Sequence, residues 1–92
     1  MINWNDKVKR ILKSELIRRG ISNSDLASML NGIGIEETKA SIDSKISRGS
    51  FSACFFLQCL AVIGCTKIDI IESELLMVNE TVEFYKSSQN EK

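Results

Sequence analysis

Apolar residues recur along this chain at helical spacing, and in one stretch they crowd together. Between Ser52 and Gly64 lie eleven positions, of which only Gln58 is polar. A helix with that content has no wet face, so the pattern predicts a central helix buried on nearly every side. A bilayer span takes about 20 residues, so the stretch is too short to be one. Its ends carry stop signals: Ser52 is placed to cap the first turn, Phe51 and Phe56 to staple it, and Gly64 to close it in the left-handed conformation.

Upstream, Trp4, Val8, Ile11, Leu12 and Leu16 form one face of a first helix from Asn3 to Arg19, which Gly20 ends. Asn3 is its cap, with Asp6 three residues on as the reciprocal partner. The outer face collects Lys7, Lys9, Arg10, Lys13, Arg18 and Arg19. Most such faces are simply solvated; the functional reading is that its ends touch phosphates. Ser22 and Asp25 form a capping box for a second helix with Leu26, Ala27, Met29 and Leu30 inward, and Ile21 and Leu26 are placed as its staple. It ends near Asn31-Gly32, after which Ile33 and Ile35 are expected to pin the connection to the core.

A third helix is expected from about Glu36–Thr38 to Arg48, with Ile42 and Ile46 inward and Gly49 as its stop. Steps of 100° per residue put Glu37, Ala40, Ser41, Ser44, Ser47 and Arg48 on its outer face, flanked by Lys39 and Lys45. Short side chains of this kind let a helix lie close to another surface, such as a major groove about 12 Å wide. Beyond the central helix, Thr66–Ile70 alternates like a short strand. Ile71, Leu75, Val78, Val82 and Tyr85 then fall at 4-3-4-3 spacing, the seam of a fifth, packed helix, with Leu76, Met77 and Phe84 off the seam. The expectation is an all-α compact bundle of five helices. Residues 1–65 form one domain around the fourth helix, 66–86 a C-terminal helix for docking or dimerisation, and 87–92 a flexible tail.

Composition agrees and removes several functions. Ninety-two residues with no Pro and five Gly suit one helical domain with a modest core. The three Cys are odd in number, and Cys54 and Cys59 fall inside the apolar stretch. They read as small core hydrophobes in a reducing cytoplasm, with Cys65 the most reachable. With no His, no phosphate loop and no ligand spacing, neither metal, cofactor nor enzymatic chemistry is expected. Net charge is zero, but residues 1–64 hold nine Lys/Arg against six Asp/Glu, and residues 65–92 three against six. The front is thus mildly basic and the tail mildly acidic.

Gly20-Ile21-Ser22 through Leu30, Ile46-Ser47-Arg48-Gly49, and Phe51 through Gly64 together resemble the lambda-repressor-like (Xre/Cro-type) helix-turn-helix domain. The chain up to Cys65 is also similar to a small uncharacterised bacterial domain family of regulators. Three features depart from the helix-turn-helix pattern: the connection Asn31–Glu37 is longer than its tight turn, Ile42 and Ile46 are four apart rather than three, and Asn23 stands where Gln is frequent. The resemblance implies a small transcriptional regulator that binds double-stranded DNA as a homodimer, with helix 38–48 in the major groove. It implies that Thr38, Lys39, Ser41, Ser44 and Lys45 reach base edges and nearby phosphates, with Lys39 or Lys45 on a guanine. Backbone amides near Ser22 and Asn23 would hold one phosphate, and Arg48 and Ser50 another. Ile71, Leu75, Val78, Val82 and Tyr85 would form the dimer interface. The alternative is a protein-interaction module, antitoxin-like or phage-type, that uses helix 38–48 or the C-terminal helix. Glu36, Glu37 and Asp43 favour it, because each would repel a phosphate.

Overall fold

The computed structural model describes residues 3–70. Four α-helices follow one another: α1 (Trp4–Arg19), α2 (Asn23–Gly32), α3 (Lys39–Arg48) and α4 (Ala53–Val62). Every helix starts on a short polar side chain that accepts from the backbone amide three residues on: Asn3 from Asp6, Ser22 from Asp25, Thr38 from Ser41 and Ser52 from Phe55. In α2 and α3 the bond is returned, by Asp25 and by the Ser41 hydroxyl respectively, so both carry complete capping boxes. Gly20 and Gly49 close α1 and α3 with φ of 68° and 67°. Gly64 takes φ 80° one residue past the C-cap of α4. Phe51 and Phe56 do meet across the start of α4, with ring centroids 6.0 Å apart.

The core draws on all four helices: Leu12 and Leu16, Leu26, Ala27 and Leu30, Ile42 and Ile46, and Phe55, Cys59 and Leu60 are buried, joined by Ile63 and Cys65. Helix α3 packs against α1 and α2, and α2 packs against α4. Leu12, Leu26, Leu30, Ile42 and Cys59 have no exposed surface, so the centre lies among the four helices rather than inside one of them.

Several expectations fail here for one reason: spacing marks an apolar position without saying which neighbour will cover it. Among the described residues nothing wraps helix α4 on its outer side. Ala53, Cys54 and Ala61 are exposed, and Leu57 keeps 63% of its surface in the open. Among the described helices α2 makes the main packing contact with α4, and a single neighbour covers only one side of a helix. The thiols trade places with expectation: Cys54 is exposed, while Cys65 is buried and donates to the Lys67 carbonyl at 3.3 Å. Lys7, expected on the wet face of α1, is 1% exposed, and Trp4 is 54% exposed. Lys7, Ile11 and Glu15 stand one turn apart on a row of α1 that is buried or half-buried. Ile35 packs against the core as expected, but Ile33 points outward. Residues 65–70 form no strand. The fifth helix, its seam and the tail lie outside the described residues.

Candidate functional site

The helix that the sequence singles out, α3, is positioned from both ends. Before it, the long connection is held in one shape. The Asn31 side chain donates to the Glu37 carbonyl at 3.2 Å and accepts from the Glu37 amide at 3.1 Å, while the Ile35 amide donates to the Leu30 carbonyl at 3.0 Å. After it, Gly49 is buried against α1: a Cβ there would sit 2.5 Å from the Asn5 carbonyl oxygen. Lys9 of α1 donates to the Ser47 carbonyl at 3.2 Å, placing a cation at the negative end of the α3 dipole.

Two carboxylates govern the two lysines of α3. Glu37, with its side chain 8% exposed, accepts from the Ser41 hydroxyl and from Lys45 Nζ, each at 2.6 Å. The same ammonium lies 4.7 Å from the centroid of the Phe55 ring in α4. Burial alone would raise the Glu37 carboxyl, but the Lys45 and Ser41 bonds outweigh it and hold the group below its ordinary range. Asp43 accepts from the Asn23 side chain and from Lys39 Nζ, both at 2.7 Å. These two bonds, the Asn23 bond first, lower its carboxyl, and the Asn23 bond ties the start of α2 to the middle of α3.

The site residues expected from the sequence therefore divide. Lys45 and Ser41 are turned to Glu37, and Lys39 to Asp43 with its side chain 62% exposed. Thr38, Ser44, Arg48 and Ser50 are exposed, and Arg48 donates to the Ser44 hydroxyl at 3.0 Å. Ser22 is exposed and Asn23 half-buried. At the head of α2 the Ser22 hydroxyl takes the Asp25 amide, and the Ser22 carbonyl the Leu26 amide. The amides of Asn23 and Ser24 remain as the orphan donors of that helix end.

Sequence reading missed where the α1 cations go. Arg18 and Arg19 both turn to Glu15, whose carboxyl is lowered chiefly by the Arg19 hydrogen bond. Lys9 and Lys13 instead join Asn23, Asp43, Ile46 and Ser47 around a cleft of about 220 Å³ between α1, the head of α2 and α3. The pairings of Glu15 with Arg18 and Arg19, and of Lys39 with Asp43, were available from three- and four-residue spacing. The Lys45–Glu37 pair, eight residues apart with a loop–helix boundary between, was not. Among the described residues no group of three His, Cys, Asp or Glu is placed to hold a metal ion. None of the described helices is long and apolar enough to cross a membrane.

By class this is an all-helical domain of four short capped helices that presents one small, polar helix face beside a cluster of lysines. The chain belongs to the family described as domain of unknown function (DUF6471), whose model matches residues 4–68, from the first residue of α1 to Ile68. No curated protein and no solved structure matches it.

Proposed function

We propose that this chain binds double-stranded DNA as a small regulator, with the outer face of α3 toward the major groove. The observation that carries the reading is the shared cleft. Lys9 and Lys13, the head of α2, Asp43 and the Ser47 edge of α3 face one another, and with Asp43 bonded to Asn23 and Lys39, two lysines stand beside a helix face of short side chains. Lys9, Lys13 and the amides of Asn23 and Ser24 take one stretch of backbone, and Arg48 and Ser50 take the other. Thr38, Lys39 and Ser44 face the bases. An exposed i, i+4 pair such as Lys39–Asp43 contributes only about 0.3–0.5 kcal/mol, so Lys39 leaves Asp43 readily for a guanine. Lys45, shared between the nearly buried Glu37 and the Phe55 ring, does not leave, and it belongs to the scaffold.

One such module covers roughly 600–1,000 Å². Two copies on half-sites about 34 Å apart would multiply its affinity. The test is fluorescence anisotropy with DNA from the region upstream of the coding sequence and with scrambled DNA, at two salt concentrations. The expected result is tighter binding to the upstream DNA, falling with salt at a log–log slope of about −3 to −4 for some four phosphates. Absence of binding to either DNA at low salt overturns the reading.

One observation favours a second reading, an α3 face that docks on a protein: Asp43 and Glu37 neutralise both lysines of that helix. Such docking would change little with salt.

A further inference from the structure

The exposed face of α4 is an apolar feature that DNA binding leaves unused. Leu57 is its most prominent residue, and Phe56, Leu57, Leu60, Ala61, Cys65 and Ile68 line an apolar groove of about 340 Å³ along it. A second cleft, of about 470 Å³, lies on the other side of the returning chain, against Ile11, Ser14 and Arg18 of α1. Lys67 and Ile68 border both. Two residues further on, Ile70 is 55% exposed. The described chain therefore stops between two surfaces that no described residue covers, one apolar and one edged by side chains of both charges.

We infer that residues 71–85 of the same chain cover this surface, laying the seam Ile71, Leu75, Val78 and Val82 into the α4 groove. Three observations select that occupant. The first is reach. Twenty-two residues follow Ile70. A helix of the fifteen from Ile71 to Tyr85 would be about 22 Å long, against about 15 Å for the ten-residue α4. The second is charge. Glu72 and Glu74 flank the seam near its start, and Lys67 borders the α4 groove. The third is the tether. Ile68 packs against the core three residues before the seam begins, so the segment meets its own groove at an effective concentration on the order of millimolar. A second copy at micromolar concentration competes at a disadvantage of about 10³-fold. This assigns the seam to the chain's own core rather than to a dimer, and it stands whether or not α3 reads DNA.

The test is an isotope-filtered NOE experiment on the full chain, with labelled and unlabelled copies mixed. Contacts from the Leu57 methyls to those of Leu75 or Val78 within one chain are the expected result. The same contacts only between chains would assign the groove to a second copy, and no contact at all would leave it uncovered; either outcome overturns the inference. Val78→Asp provides a second readout. It should shift the resonances of Leu57 and Ala61, leave those of Leu26 and Ile42 in place, and leave the sedimenting mass equal to that of the parent. Resonances of Leu57 and Ala61 that stay put in this variant count against the docking, even where the fold is intact.

Discussion

At the residue scale, the chemistry of this chain turns on what each cation finds within reach. Lys45 and Arg48 are three residues apart on one helix and have opposite fates. Lys45 is drawn inward by a carboxylate that is 8% exposed and by an aromatic face, whereas Arg48 meets only a serine hydroxyl in the open. An exposed guanidinium with one neutral partner is free to take a phosphate in fork geometry. On the proposed DNA reading, Arg48→Ala should weaken binding about equally on all sequences and reduce the salt slope by about one. Anisotropy at several salt concentrations reads both quantities, and an unchanged slope removes Arg48 from the contact set. Cys59 shows the same principle without a charge: burial pushes its thiol up to about 12, so it stays a neutral core group.

At the scale of elements, the presentation of α3 depends on how its ends are held. The Asn31–Glu37 clamp gives the long connection a definite shape, and Gly49 lets α3 finish against the backbone of α1. Gly49 and Gly20 have nearly the same positive φ, but only Gly49 faces a neighbour, with the Asn5 oxygen 2.5 Å from where a Cβ would lie. Backbone strain alone makes Gly20→Ala cost about 1–2 kcal/mol. Gly49→Ala adds a steric clash with main chain and should cost roughly 2–5 kcal/mol. Urea unfolding of the two variants compares them directly. Equal losses would mean that α1 and α3 part easily and that the close approach is unimportant.

For the whole molecule, polar ties join elements that the core already packs, and they give the fold an acid limit. Glu37 links the connection, α3 and α4 through Lys45, and Asp43 links α2 to α3. The carboxyls of Glu15, Asp25, Glu37 and Asp43 all sit below their ordinary values. A carboxyl lowered by folding contributes stability above its unfolded value and loses it as pH falls through the folded one. With no His in the chain, stability should be level from about pH 8 to 5 and should fall below the ordinary glutamate value of 4.5. Asp25 and Asp43 share their charge with exposed partners or backbone, whereas Glu15 and Glu37 have side chains only 9% and 8% exposed, beside Arg19 and Lys45, and these two carry the largest part. Glu37→Gln should lower stability at neutral pH and flatten the acid fall in denaturant titrations. A variant as steep in acid as the parent would place the dependence elsewhere.

The sequence by itself determined the four helices, their caps and their stops, and most of the inward side chains. Asn3, Ser22, Thr38 and Ser52 bond amides three residues away, and apolar residues three or four apart share a face wherever a helix forms. Those are local facts, complete within one turn of chain. Tertiary structure alone decided which face had a neighbour. Leu57 and Cys54 are as apolar as Cys59 and Leu60, yet α2 covers one side of α4 and no described element covers the other. Lys7 is buried although its neighbours Asp6 and Val8 are exposed or half-buried. Lys45 is withdrawn from the candidate DNA face by Glu37 in a loop and Phe55 in another helix, partners that no spacing rule brings together. The cleft shared by Lys9, Lys13, Asn23 and Ser47 has the same origin, since it exists only where three helices cross.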